Sequence, residues 1–440
     1  MPWARAEVAS AAMITGSRLR NRRWPLITSA VLVISWLAYS FLWNPVVHHK
    51  TGWVQPADIW GTYRAAHYIG WGDVGDIYTR GTGFITFPGV LLVLAPLAIL
   101  TDHLGLSESY PRAMAHPSAW PILGPVSILI GLLPLFAFDA LAEHLGVTHR
   151  VRIVLCWCQM ILLWPVLVIW GHPEDAIAIG FAVYGLIAAW KKQWVKGGWL
   201  FAAALLFQPL VVLFFPIVLA IYPDARRRIR WVVQAVLPSA VLLAIPIIGS
   251  WNETTYALVK QPTFPSVNHP TPLLFLAPVI GRFRPSTGVA YVHVGTLHEF
   301  LSGTLMTGGN IVAPGLGRLA ALAVAVLVGL WVWSRRPSEN VTLWLCALVL
   351  GVWCVLEPVM TPYYAWPFLA LVVLSAGLNS PGRLAVTFGA ALFITLWTEH
   401  FFRPWVWWGP TVLAVGLALY CARPVPVSKA QETRPEAARL

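Results

Sequence analysis

The stretch Gly52–Tyr78, GWVQPADIWGTYRAAHYIGWGDVGDIY, is the first long polar interruption after a hydrophobic run. Pro56-Ala57-Asp58 reads as a helix start, with Asp58 free to cap the amides that follow. Ile59, Tyr63, Ala66 and Ile69 fall on one face, so the spacing predicts a short amphipathic helix, Asp58 to Ile69, lying on a membrane surface. Around it the chain alternates between apolar runs and short polar connectors. That alternation sets the expected fold class: an all-α polytopic membrane protein with roughly 10–12 transmembrane or re-entrant helices.

Composition agrees. Over 440 residues, 58% are hydrophobic and 11% charged, and the mean hydropathy is +0.68. A soluble fold has no place to bury so much apolar surface. The net charge of +12 does not mark a nucleic-acid binder, because the basic residues cluster in short loops between apolar runs. That is the pattern of the positive-inside rule and of contact with anionic lipid. Membrane lipids are therefore expected partners and nucleic acid is not.

Arg18, Arg20, Arg22 and Arg23 precede the first span without a cleavable signal pattern, which assigns residues 1–23 to the cytoplasm. Trp405, Trp407 and Trp408 read as an interfacial belt. Cys156, Cys158, Cys346, Cys354 and Cys421 lie in apolar segments with no ligand or redox spacing, so they are packing residues.

Trp24–Trp43 is long enough to cross and delivers the Asp58 loop to the outer side. Phe87–Leu100, FPGVLLVLAPLAIL, is short and broken by proline. If it and Trp120–Ala142 both crossed, Arg150, Arg152, Lys191 and Lys192 would face outward against the positive-inside bias. The expectation is therefore that Phe87–Leu100 dips in without crossing. Ile153–Trp170 and Ala176–Trp190 then flank a polar knot, Gly171-His172-Pro173-Glu174-Asp175, on the Asp58 side.

Trp199–Tyr222 has Lys196 before it and Arg226 to Arg230 after it, and is split by Gln208-Pro209. One straight span cannot have two cytoplasmic ends. The pattern predicts two half-helices that rise and return, with Gln208 lining a cavity that satisfies the freed backbone. Trp231–Ile248 leads to a polar, proline-rich loop from Ser250 to about Asn310. Further spans are expected at Ile311–Trp333, Val341–Leu356, Tyr364–Leu378, Leu384–Trp397 and Trp405–Cys421. Residues 24–421 form one membrane domain with outer loops 45–86 and 250–310, and residues 422–440 form a disordered cytoplasmic tail.

Several residues are candidates for chemistry, each with a plainer reading beside it. Asp58 is either an N-cap or a general base facing a lipid-lined cleft. His172, Glu174 and Asp175 suit a helix start, yet charged groups at a membrane boundary also mark sites. Lys260, Arg282 and Arg284 either bind a phosphate or are solvated loop charges. Glu357 and Tyr363-Tyr364-Ala365-Trp366 end an outer loop, where aromatics serve as belt or stack on a sugar. His269, His293 and His298 lack an i, i+4 metal spacing, and no metal or cofactor is expected.

The pattern D-x-x-x-x-Y-x-A-A (Asp58, Tyr63, Ala65, Ala66), the downstream Asp76-Ile77-Tyr78, the Phe87-Pro88 helix start and the Gln208-Pro209 break together resemble the membrane-embedded GT-C glycosyltransferases. Within that superfamily the chain is most similar to the actinobacterial polyprenyl-phosphate-mannose-dependent α-mannosyltransferases. The resemblance implies a plasma-membrane, multi-pass enzyme that moves a sugar, mannose first, from a polyprenyl-phosphate donor to a glycolipid or polysaccharide acceptor outside the membrane. It implies Asp58 as catalytic base and no cofactor. Tyr63, Arg64, His172, Glu174, Asp175, Gln208, Lys260, His269, Glu357, Tyr363 and Tyr364 are then the substrate-binding candidates. The chain departs from the family at Gly171-His172, where Gly-Gln is common, and at Tyr363-Tyr364, where histidines are common. Two other classes fit the composition: a transporter or flippase of lipid-linked substrates, and a non-catalytic partner in envelope assembly.

Overall fold

In the computed structural model the apolar runs become helices. Residues 22–43, 53–56, 58–79, 82–106, 118–260, 269–270, 279–284, 288–290, 310–312, 316–357, 359–399 and 404–425 are described. In order these give α1 (Arg23–Leu37), prolonged by a π-helical turn at Ala38–Trp43, α2 (Ile59–Trp71), α3 (Gly89–His103), α4 (Trp120–Gly131) and α5 (Leu133–His144). Next come α6 (His149–Trp164) with its π-helical turn Pro165–Trp170, α7 (Pro173–Trp190), α8 (Trp194–Phe207), the 3-10 segment Pro209–Phe214, and α9 (Phe215–Ile221). α10 (Ala225–Gly249) and α11 (Trp251–Thr255) precede α12 (Leu316–Arg335), α13 (Glu339–Leu356), α14 (Trp366–Gly377), α15 (Pro381–Thr398) and α16 (Pro404–Ala422).

Seven helical stretches among the described residues are long and apolar enough to cross a membrane: Arg23–Leu42, Trp120–His144, His149–Trp170, Pro173–Trp190, Ala225–Gly249, Gly317–Arg335 and Glu339–Leu356. Shorter apolar helices fill the space between them. The chain is therefore a multi-pass membrane protein.

Five short strands qualify the all-α expectation. β1 (His269–Pro270) pairs antiparallel with β5 (Val359–Met360), while β2 (Val279–Arg284) lies between β3 (Gly288–Ala290) and β4 (Asn310–Val312). β4 also corrects the expected span Ile311–Trp333. Ile311 and Val312 pair with Ile280 and Val279, and the helix begins at Leu316.

The helix ends sort into two faces. At one, Arg22 bonds Asp139 and Glu143, and Arg152 grips Asp139 through Nε at 2.8 Å and Nη2 at 2.7 Å. His144 Nε2 lies 3.0 Å from Glu339 and its ring stacks on Trp190. Arg228 sits over Trp333, and Arg383 donates to the carbonyl of Arg423 at 2.9 Å. At the other face Asp58 meets His172, Trp170 Nε1 donates to Glu399 at 2.9 Å, and Ser250 donates to Asp76 at 3.1 Å.

This path tests two expectations about crossings. Trp120 packs beside Trp36 and Tyr63, so α4 starts on the Asp58 side, and the last turns of α5 carry Asp139 on the Arg22 side. The chain therefore enters α4 on the Asp58 face, as it must if α3 makes no net crossing. The split span is also a hairpin. Gln208 is extended (φ −149°, ψ 122°), and the Tyr222 hydroxyl returns to donate to the Trp194 carbonyl at 3.1 Å. The proline after Gln208 removes a donor and stops α8, so the chain folds back instead of crossing.

α7 forms the axis of the bundle. Lipid tails are as apolar as leucine, so close packing must hold such helices together, and small residues allow it. Gly180 lets Leu133 and Pro134 approach, and Gly185 receives the ring of Phe201. The Trp belt is corrected in part. Trp407 is 1% exposed and Trp408 Nε1 donates to the Val355 carbonyl at 3.2 Å, so both pack inward. The four cysteines Cys156, Cys158, Cys346 and Cys354 are buried and unbridged.

Candidate functional site

The candidate site is built where α2 meets the start of α7. Asp58 occupies the position before α2, with a helical backbone (φ −74°, ψ −25°), but its side chain makes no capping bond. Its carboxylate turns to His172, whose Nε2 lies 3.2 Å from Oδ2. The capping role open to Asp58 in the sequence is thus not the one it takes.

A tight approach makes this meeting possible. Gly171 has φ +75°, and a Cβ there would come within 2.6 Å of Pro56 Cβ and 3.1 Å of Ile59 Cβ. Only glycine tolerates both the left-handed backbone and the contact. The π-helical turn before it ends with His172 N bonded to the Val166 carbonyl, which fixes His172 at the helix entrance.

His172 is held at both nitrogens. Nδ1 donates to Glu174 Oε1 at 2.6 Å, and the ring stacks on Tyr363 with centroids 3.6 Å apart. Burial opposes its charge, but Glu174 and Asp58 outweigh it and raise its pKa to about 10. His172 is therefore a cation at neutral pH, bracketed by two carboxylates. Asp175 lies beside this group and accepts from the side-chain amide of Gln208, which joins the break in the α8–α9 hairpin to the knot. Thr86 donates weakly to Gln208 Oε1 at 3.5 Å from the start of α3.

Exposure divides the roles. The Glu174 and Asp175 side chains are each 4% exposed, and His172 is 14% exposed, while Asp58 is 42% exposed. Asp58 is the acid of this cluster that faces outward. Glu174 Oε2 and Asp175 Oδ2 are buried and have no hydrogen-bond donor among the described residues. Donor atoms of His172, Glu174 and Asp175 lie within 4.8 Å of one another, a spacing that can hold a metal ion. With both imidazole nitrogens facing carboxylates, the set forms an ion-pair network as it stands.

Of the other sequence candidates, Tyr364 joins the cluster through Tyr363, while Tyr63 and Arg64 have other partners. Tyr63 is 1% exposed and its hydroxyl meets Ser127 Oγ at 2.8 Å, so it belongs to the packing between α2 and α4. Arg64 places its guanidinium over the Trp60 ring. Glu357 is 1% exposed and takes a two-pronged bond from Arg318, at 2.9 Å from Nε and 2.6 Å from Nη2. Tyr364 stands edge-on to Tyr363 and packs on Trp353. The side chains of Lys260, His269, Arg282 and Arg284 lie outside the described residues, as do His293, His298, Glu299 and the tail from residue 426.

Two contributors were missed in the sequence. Arg318 is the lone charge in the first turns of α12, and a lone arginine there and a lone glutamate at the end of α13 were a signal for a pair. Glu399, the acceptor of Trp170, gave no such signal. A narrow slot of about 10 Å³ lies between Trp170, Tyr363 and Glu399. The larger cavity, about 840 Å³, is at the opposite end of the bundle. No family model matches the chain, and neither the curated proteins nor the solved structures contain a match.

Proposed function

We propose that the protein is a plasma-membrane glycosyltransferase that moves a sugar, mannose first, from a polyprenyl-phosphate donor to a glycolipid or polysaccharide acceptor. Asp58 is the general base that takes the proton from the acceptor hydroxyl as it attacks the anomeric carbon. His172 is its positioning residue. It holds the carboxylate from one side and is itself held by Glu174 and Tyr363.

The observation that carries this reading is the Asp58–His172 contact, which spends the carboxylate on a cation and not on the helix amides. Support for the side comes from charge. Arg22, Arg152, Lys191, Lys192, Arg226, Arg227, Arg228, Arg230 and Arg383 stand at the opposite end, which by the positive-inside rule supports an extracytoplasmic Asp58 face. The resemblance to GT-C enzymes supplies the donor class and the sugar.

A transporter needs a path between the two faces. The core along α7 is filled instead: Ala178, Ile179, Ala182, Val183 and Leu186 are each at most 1% exposed. That argues against the transporter and leaves the enzyme and the non-catalytic partner to be separated by the transfer test.

The test is sugar transfer from radiolabelled polyprenyl-phosphate-mannose in membranes carrying wild type or Asp58→Asn at matched protein levels. Loss of a general base lowers the rate by about 10²–10⁴. Equal transfer by the two would remove Asp58 as base, and absence of transfer by wild type would remove this donor.

A further inference from the structure

The Arg22 end of the bundle holds a cavity that sugar transfer does not use. It encloses about 840 Å³ between the last turns of α5 and α7 and the first turns of α8. Its walls are mixed. Ile187, Ala188 and Leu200 give an aliphatic side, and Arg22, Lys191 and Lys196 give a basic one.

The charges around it do not cancel. Arg22 and Arg152 are matched by Asp139 and Glu143. His144 is engaged by Glu339 and by the Trp190 ring. Lys191 and Lys196 remain, exposed and with no ion pair among the described residues. The turn that carries them is built firmly. Lys191 N bonds to the Ile187 carbonyl at 3.0 Å, Lys192 takes φ 58°, and Gln193 N bonds to the Ala188 carbonyl at 2.8 Å. The backbone that carries both lysines is thus fixed on one rim, and the start of α8 adds the positive end of a helix dipole.

The cavity also borders the lipid-facing surface. α8 turns Lys196 and Leu200 into the cavity while Val195 and Trp199, 43% and 53% exposed, point away from the bundle. A soluble phosphate compound would use the lysines and leave the aliphatic wall wet. A phosphate with a hydrocarbon chain uses both.

We propose that this cavity binds the phosphate of an anionic membrane lipid, held by Lys191 and Lys196 with the root of its hydrocarbon against Ile187 and Leu200. This is independent of the sugar-transfer reading.

The experiment is native mass spectrometry of the purified full chain titrated with phosphatidylglycerol, phosphatidylcholine or glycerol 1-phosphate. Wild type is compared with Lys191→Gln/Lys196→Gln and with Arg226→Gln/Arg230→Gln, which removes the same charge from the same end outside the cavity. Wild type is expected to retain phosphatidylglycerol over phosphatidylcholine. The lysine pair is expected to weaken that retention at least tenfold, and the arginine pair to leave it within twofold. Lys191→Arg/Lys196→Arg keeps the charge and is expected to retain the lipid, which separates lost binding from lost folding.

Equal retention by wild type and the lysine pair overturns the proposal. So does equal loss in both pairs, which would make the effect general charge. Displacement of the lipid by glycerol 1-phosphate at equal concentration also overturns it, in favour of a soluble phosphate ligand.

Discussion

The imidazole of His172 lies over the phenol of Tyr363, with ring centroids 3.6 Å apart and planes inclined by 22°. A cationic ring on an aromatic face gains up to about 2 kcal/mol when water is excluded. The phenol hydroxyl plays no part in that attraction. Tyr363→Phe is therefore expected to keep sugar transfer within about twofold of wild type, while Tyr363→Ala lowers it by about 30-fold, the rate equivalent of about 2 kcal/mol. Equal losses in the two variants would shift the role of Tyr363 from its ring to its hydroxyl.

The charge on His172 gives stability a pH dependence of known sign. An unfolded histidine has a pKa of about 6.5, and the folded one is raised to about 10. The folded state holds this proton more tightly, so its contribution is complete below about pH 6.5 and is lost as pH rises toward 10. The melting temperature of wild type minus that of His172→Gln should be largest in mildly acidic solution, where the histidine and its partner carboxylates are both charged, and should shrink through the alkaline range. A gap that widens over that alkaline range would contradict the assignment.

Much of this arrangement was legible in the sequence, and the reasons differ by element. The spans were readable because length and apolarity alone decide them, and α13 and α14 begin and end within a few residues of expectation. The hairpin at Gln208-Pro209 was readable because two basic flanks and one proline leave a single topology. The partner of Asp58 was not. A local rule, aspartate before a helix, competes with a partner far along the chain, and only the three-dimensional path decides which wins. The same holds for Tyr63, whose place in a promising motif said nothing of Ser127.

Gly171 and Gly146 make a controlled pair. Both have φ +75°, but a Cβ at Gly146 meets nothing within 4 Å, while at Gly171 it strikes Pro56. Gly146→Ala should cost only backbone strain, about 1 kcal/mol, and lower the melting temperature slightly. Gly171→Ala should do more, pushing α2 from α7 and abolishing transfer. Similar melting curves for the two would deny the close approach.

Arg318 and Glu357 form a buried pair, 23% and 1% exposed at their side chains. Removing one partner strands the other charge and costs about 3–5 kcal/mol, while replacing both with apolar residues is often neutral. Glu357→Leu is thus expected to destabilise strongly and Arg318→Met/Glu357→Leu to recover most of the loss. Additive losses in thermal unfolding of the four members of that cycle would show no coupling.

Chelation examines the donor set of His172, Glu174 and Asp175 directly. If both imidazole nitrogens are committed to carboxylates, EDTA treatment should leave sugar transfer unchanged. Loss on chelation, restored by one divalent cation, would replace the ion-pair network with a metal centre.

The three-way grip on Asp139 also bears on how the protein is made. An aspartate in a membrane helix is costly unless it is paired, and this one, in the last turns of α5, is 2% exposed among helices. Arg22 is synthesised before it and Arg152 shortly after. Those two arginines offset the cost of burying the carboxylate, so α1, α5 and α6 are expected to depend on one another for stable insertion.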